Sequence, residues 1–310
     1  MAYKKKIAVL SAAVIVLALV YILSFVFDPE RRQSTAFAWL DPSLLVMADG
    51  IEIYGTGGVA GGITLLSRKD GTWFFSSGIT DFPVKQHRVE DLLNALSRKD
   101  VYPLRAVSAE AIERLGLAEE SSSRIRIRGG AGLPLLDLLI GGGDALGREV
   151  YLRRVGRNEI HSGEDRFTFY IDARPSFWYD LRLFPQEIAD IGAVQQAEIA
   201  LLNEEPFILR RSGGGWIMVG QGSALDTRSV EAWLRSVLEA EADDFGLEPP
   251  ALVEGSITLR FGDGTTRTIE AGPADEDNNR SLRVLGSGLV YVLTEWTFSR
   301  LFRESSFFGE

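Results

Sequence analysis

The hydrophobic pattern begins with one long uncharged run. Lys4, Lys5 and Lys6 are followed by twenty-one residues, 7–27, with no charge and only Ser11, Tyr21 and Ser24 as polar interruptions. Wound as a helix at 1.5 Å per residue, the run measures about 31 Å, the thickness of a hydrocarbon core. Asp28-Pro29 ends it, because proline cannot continue the helix and a charge belongs in the headgroup zone. The pattern predicts a single membrane-spanning anchor. A cleaved signal peptide would need a shorter apolar region with small residues close behind it. The Ala36-Phe37-Ala38 triplet instead lies about eleven residues further on, past Glu30, Arg31 and Arg32. Three lysines and the α-amino group precede the span and two arginines follow it. That difference places the N-terminus in the cytoplasm and the bulk of the chain on the other side of the membrane.

After a linker expected over 33–45, the periodicity changes. Val230, Trp233, Leu234, Val237 and Leu238 follow the i, i+3, i+4, i+7, i+8 spacing of one helical face, with Asp226 or Thr227 as cap. Val89, Leu92, Leu93 and Leu96 repeat that signature. Each helix comes soon after a Gly-rich turn and a Trp-led strand, at Trp73 and at Trp216. Leu115-Gly116-Leu117 and Phe245-Gly246-Leu247 come next, then the alternating runs 125–128 and 257–260. Each series closes on Trp-x-x-x-Arg-Leu-Phe, from Trp178 to Phe184 and from Trp296 to Phe302. Landmarks recurring in one order predict an internal duplication. The expected copies are 46–185 and 195–305, with Trp73 matched to Trp216, Leu93 to Leu234 and Trp178 to Trp296.

Within a copy the pattern predicts three strands ending at the Trp run, a helix, a second short helix over 109–115 in the first copy, and three or four further strands. Asp263-Gly264 is the strongest hairpin signal, and 68–71 and 213–215 mark equivalent turns. Strands joined so tightly must be antiparallel. The fold class expected is therefore α+β: an N-terminal transmembrane helix, then two tandem repeats of a mainly antiparallel sheet with one or two packed helices each.

Composition narrows the chemistry. Three Lys and two Arg against two carboxylates give residues 1–32 a charge of +3, and with −10 for the whole chain the remainder carries −13. Nucleic acid is not an expected partner, since binding it needs clustered cations. No cysteine is present, which removes disulfides and thiol chemistry, and only His87 and His161 could serve as imidazoles. The glycines of 55–62 lack the Gly-Lys-Ser/Thr of a phosphate loop and precede no long helix, so a hairpin connection is expected there. Gly141, Gly142 and Gly143 read the same way.

The acidic run 275–279 puts Arg280 and Gly286 where a calcium loop needs Gly and a bidentate Glu, so it reads as a solvated loop. His161 beside Ser162, with Glu164 and Asp165 close by, suggests a hydrolytic set, but without a nucleophile elbow it is expected to decorate a turn after the strand at 159–160. His87 is expected just before the first helix as a neutral cap. Trp73, Trp178, Trp216 and Trp296 could stack sugars but are expected as core, and Arg126 and Arg128 as a solvated sheet face. No catalytic, cofactor-binding or metal-binding residues are assigned.

The anchor, the Trp strand, the helix, the Leu-Gly-Leu step, the strand 125–128, Leu139-Ile140-Gly141, the run 149–153 and the Trp178 segment together resemble a bacterial family, domain of unknown function 4340. The resemblance covers nearly all of the chain after the anchor and rests on packing residues, so no active site carries over. It implies an envelope protein often encoded beside ABC-type transporter components of the gliding-motility kind. The second copy departs from the pattern, with Leu282-Arg283-Val284 in place of the Tyr-x-Arg run. The function expected is a non-enzymatic, membrane-anchored extracytoplasmic accessory or scaffold subunit of an ABC-type transporter, with transporter subunits as partners. The alternatives are a module binding a glycan, lipid or peptide in a cleft between the repeats, and a hydrolase built from dispersed carboxylates.

Overall fold

The computed structural model describes residues 16–18, 36–144, 146–171, 174–184, 190–221 and 224–309. The anchor expected over 7–27 lies outside them except for residues 16–18, which are helical. No helix among the described residues is long and apolar enough to cross a membrane.

The first sheet contains β1 (Ala48–Tyr54), β2 (Ile63–Lys69), β3 (Thr72–Ser76), β4 (Asp81–Pro83), β5 (Leu104–Ala106), β6 (Ser123–Gly129), β7 (Pro134–Gly143), β8 (Glu149–Arg154) and β9 (Ile160–Glu164). Helices α1 (Gln86–Ser97) and α2 (Ala109–Arg114) interrupt it, and α3 (Pro175–Trp178) follows. The strand order is β4-β3-β2-β1-β6-β7-β8-β9-β5. The second sheet contains β10 (Val194–Leu201), β11 (Phe207–Ser212), β12 (Gly215–Met218), β13 (Ala224–Leu225), β14 (Asp244–Gly246), β15 (Gly255–Phe261), β16 (Thr266–Ala274), β17 (Asn279–Val284) and β18 (Val290–Thr294). Helix α4 (Thr227–Leu238) lies between β13 and β14, and α5 (Glu295–Leu301) follows β18. Its order, β13-β12-β11-β10-β15-β16-β17-β18-β14, is the same path walked again, and every described pairing is antiparallel.

Even the irregularities recur. One bulge separates the pairs Ala48↔Gly129 and Gly50↔Arg128, and the same step separates Val194↔Phe261 and Gln196↔Arg260. A second separates Ile140↔Leu152 from Gly143↔Val150, and likewise Ala271↔Leu282 from Ala274↔Arg280. Bulges fix register and re-aim strands, so their repetition ties the two sheets residue to residue. The turns agree: Asp70 and Gly71, and Gly213 and Gly214, all have positive φ, as a two-residue hairpin of the I′ kind requires.

By contacts the chain forms two compact units, Met1–Trp73 with Gln86–Phe177, and Phe74–Lys85 with Trp178–Glu310. In the first unit α1 buries Val89, Leu92, Leu93 and Leu96, the face expected from the sequence. The Gln86 side chain accepts from the Trp73 amide (2.8 Å) and donates to the Trp73 carbonyl (2.9 Å), continuing the ladder of β3 into the start of the helix. Helix α2 packs Ala111 against Leu117, Leu139 and Ile160. The second unit buries Val230, Trp233, Leu234, Val237 and Leu238 of α4 beside Trp216, Ile257, Leu259 and Leu293.

Four expectations change. Trp39 and Leu40, placed in the linker, are buried, and Phe37 exchanges backbone hydrogen bonds with Asp100. Gly141, Gly142 and Gly143 end β7 at its bulge rather than forming a connection. His87 is the second residue of α1 and exposed, not a residue before it. Trp178 and Trp296 are not equivalents. Trp178 lies in α3 and is fully buried, whereas Trp296 opens α5 directly after β18, 69% exposed with the Arg300 guanidinium 4.8 Å above its ring. The shared Trp-x-x-x-Arg-Leu-Phe string therefore occupies different elements, and Trp296 leaves the expected core set.

Asp226 caps α4, accepting from the amides of Arg228 and Ser229 (both 3.2 Å) and from the Ser229 hydroxyl (2.6 Å). The Ser229 hydroxyl first, then the Arg228 amide, hold this carboxyl below its ordinary value. A depressed folded pKa means the cap stabilises above the ordinary carboxylate range and is lost as pH falls through the folded value. Thermal melts at neutral pH should show a lower Tm for Asp226→Ala, with Asp226→Asn close to the parent because the amide oxygen still caps. An unchanged Tm for Asp226→Ala would sink the assignment.

Candidate functional site

The residues flagged as a hydrolytic set do not converge. His161 is inside β9, not in a turn after it, and its Nδ1 lies 2.9 Å from the Tyr102 carbonyl oxygen. Its neighbour Ser162 projects to the opposite face, as successive strand residues must. There it is fully buried and accepts from Arg105 Nε at 2.9 Å. Glu164 and Asp100 both face Arg166 (3.6 and 2.6 Å). In the 275–279 run, Asp275 Oδ1 accepts from the amides of Asp277 and Asn279, which turns the chain between β16 and β17. Among the described residues no His, Cys, Asp and Glu side chains group as a metal site.

The arginines of β6 are not a simple solvated face. Ile125 and Ile127 point into the core, while Arg124, Arg126 and Arg128 share the other face with Glu52, Tyr54 and Asp137. Arg124 grips Asp137 with two nitrogens, Arg126 bridges Asp137 (3.1 Å) and Glu52 (2.9 Å), and Arg128 reaches Glu52 (2.7 Å). Tyr54 donates to Glu52 at 2.7 Å. Burial, then the Glu52 hydrogen bond and charge, push the Tyr54 phenol up, so it stays a donor. The Asp137 hydrogen bond holds the Arg124 guanidinium above its ordinary value. These groups satisfy one another and form a brace.

An open cavity of about 850 Å³ lies beside that brace, in the first unit. Three glycine-containing segments form its frame. The 55–62 run contains a 3₁₀ turn, Gly58–Gly61, between β1 and β2. A Cβ on Gly58 would strike the Glu120 carbonyl, and one on Gly141 the Leu115 carbonyl, so only glycine lets these backbones close up. Ser121, Ser122 and Ser123 lead into β6 and supply one wall. Thr168, from the 3₁₀ helix Asp165–Tyr170, and Ile171 and Arg174 supply another. Ser122 is 3% exposed, and its Oγ has no hydrogen-bond partner. Sequence reading found the glycines but not the site, because the residues that line it are small and far apart in the chain.

The equivalent positions of the second unit carry different side chains. Pairing of Ser123 with Ile140 corresponds to pairing of Gly255 with Ala271, so Ser122 corresponds to Glu254 and Val150 to Arg280. Counting from β9 and β18, Thr168 corresponds to Phe298. There Arg280 binds Glu254 (2.9 Å), Glu295 (2.8 Å) and the Gly272 carbonyl (3.1 Å), and its guanidinium covers Phe298 at 4.1 Å. Phe298 stacks on Phe302 at 4.5 Å, and a Cβ on Gly255 would lie 2.8 Å from the Phe302 ring. Glu254, Arg280 and Phe298 thus stand where the first unit has Ser122, Val150 and Thr168, while Gly255 and Ala271 stand in place of Ser123 and Ile140.

A family model described as Domain of unknown function (DUF4340) matches residues 77–256. No curated protein and no solved structure matches the chain.

Proposed function

The chain belongs to the family described as Domain of unknown function (DUF4340), and from that premise we propose that it is a non-enzymatic, membrane-anchored extracytoplasmic protein serving as an accessory subunit of an ABC-type transporter. The observation that carries this reading is the uncharged run 7–27 between three lysines and Asp28-Pro29, long enough to hold the body at a bilayer. The −13 charge beyond it is repelled by anionic headgroups, so contact at the membrane is better supported through a protein partner than through lipid. The transporter is the partner implied by the family resemblance.

Crosslinking in intact membranes followed by mass spectrometry should recover transporter subunits above background. Replacing residues 1–27 with a cleavable signal should remove both that crosslink and function in the cell. A released body with full activity and no transporter recovered would overturn the proposal. Topology has its own check: a reporter active only in the cytoplasm, fused after Glu310, should stay silent. A second reading, a ligand-binding module, is favoured by the open cavity of the first unit.

A further inference from the structure

We propose that the cavity framed by Gly55, Ser122, Gly141 and Thr168 binds a saccharide unit, held by hydroxyls and backbone groups, with Ile171 against its C–H face. This rests on the ligand-binding reading and is independent of the anchor.

Four observations carry it. The volume, about 850 Å³, is within the range of small-molecule sites. Its described wall is rich in neutral hydrogen-bonding groups, namely the hydroxyls of Thr56, Ser121, Ser122, Ser123 and Thr168 and the peptide groups of the glycines. Such a wall matches a ligand made of hydroxyls, each both donor and acceptor. Ser122, one of the lining residues, has a buried Oγ without a hydrogen-bond partner, an uncompensated polar group of the kind that costs stability. The internal copy differs at the positions that matter: where the first has Ser122 and Thr168, it has Glu254 and Phe298, both engaged by Arg280.

Other ligand classes fit the wall less well. A phosphate site wants several cations or the start of a long helix. Here Arg174 is the one charged side chain among the described lining residues, and it holds interactions of its own. A divalent cation wants carboxylates, and none is among those residues. An acyl chain wants an apolar tunnel, and the described lining residues include two isoleucines as their only large apolar side chains.

The test is ligand-observed NMR on the full-length protein in detergent, titrated with glucose, N-acetylglucosamine and glucuronate, and with decanoate as the apolar comparison. At least one sugar should bind saturably, and Thr168→Phe, which installs the residue of the second copy, should weaken it by about tenfold or more. Thr168 is exposed, so this variant should fold. Ser122→Glu installs the other substituted residue and should act likewise, with circular dichroism confirming the fold. Failure of all three sugars to saturate, binding unchanged in Thr168→Phe, or saturable binding of decanoate in place of the sugars would each overturn the proposal. None of these results bears on the transporter crosslink, so the two readings fail separately.

Discussion

Replacing Trp233 with alanine should cost about 3–5 kcal/mol, the usual penalty for emptying an aromatic core position. Trp233 is 3% exposed on the buried face of α4. Its ring meets Phe308 edge-on at 5.2 Å, and its Nε1 donates to the Leu301 carbonyl at 2.8 Å. Truncation therefore removes packing between α4 and the C-terminal segment and leaves the carbonyl at the end of α5 without its donor. Trp233→Phe separates the two contributions, since it keeps most of the packing and loses only the hydrogen bond; it should fall about 1–2 kcal/mol below the parent. Urea denaturation followed by circular dichroism reads both. A midpoint for Trp233→Ala equal to the parent's would mean that α4 packs by another face.

The second large effect is expected at Asp137. Removing this carboxylate by Asp137→Ala strips the shared partner of Arg124 and Arg126, whose side chains are 17% and 22% exposed. Breaking one side of a buried ion pair costs about 3–5 kcal/mol. Partial solvation and the remaining Glu52 contact of Arg126 reduce that here to about 2–3 kcal/mol. The double variant Asp137→Ala with Arg124→Ala should recover part of the loss, because it also removes the stranded charge. If the single variant melts with the parent, the brace is only a surface feature, as the sequence alternation alone suggests.

These two sites differ in how far the sequence discloses them. The Trp233 face is legible because helical periodicity records which side of a helix meets a core, and α1 and α4 bury the residues that period picks out. The hairpins at Asp70-Gly71, Gly213-Gly214 and Asp263-Gly264 are legible because positive φ selects few residue types. The Asp137 brace is only half legible. Alternation says that Arg124 and Arg126 leave the core, but not that Asp137 stands eleven and thirteen positions away and Glu52 seventy-four positions from Arg126. The cavity is less legible still, since glycine and serine carry no periodic signal. The Trp-x-x-x-Arg-Leu-Phe string misleads outright. It matches Trp178 with Trp296, whereas the register of β9 and β18 aligns Trp296 with Arg166.

The ends of the two sheets constrain how any protein could attach. Each sheet stops on very short strands, β4 and β5 in one, β13 and β14 in the other, of three, three, two and three residues. So short a run offers too few peptide groups in register to template an incoming strand, and Pro83 in β4 has no N–H to offer. Short margins of this kind guard against edge-to-edge aggregation. They also make β-augmentation a poor mode of recruitment, so a docking partner would have to read side-chain surfaces on the faces and loops, and its specificity would lie in residues that can be exchanged one at a time.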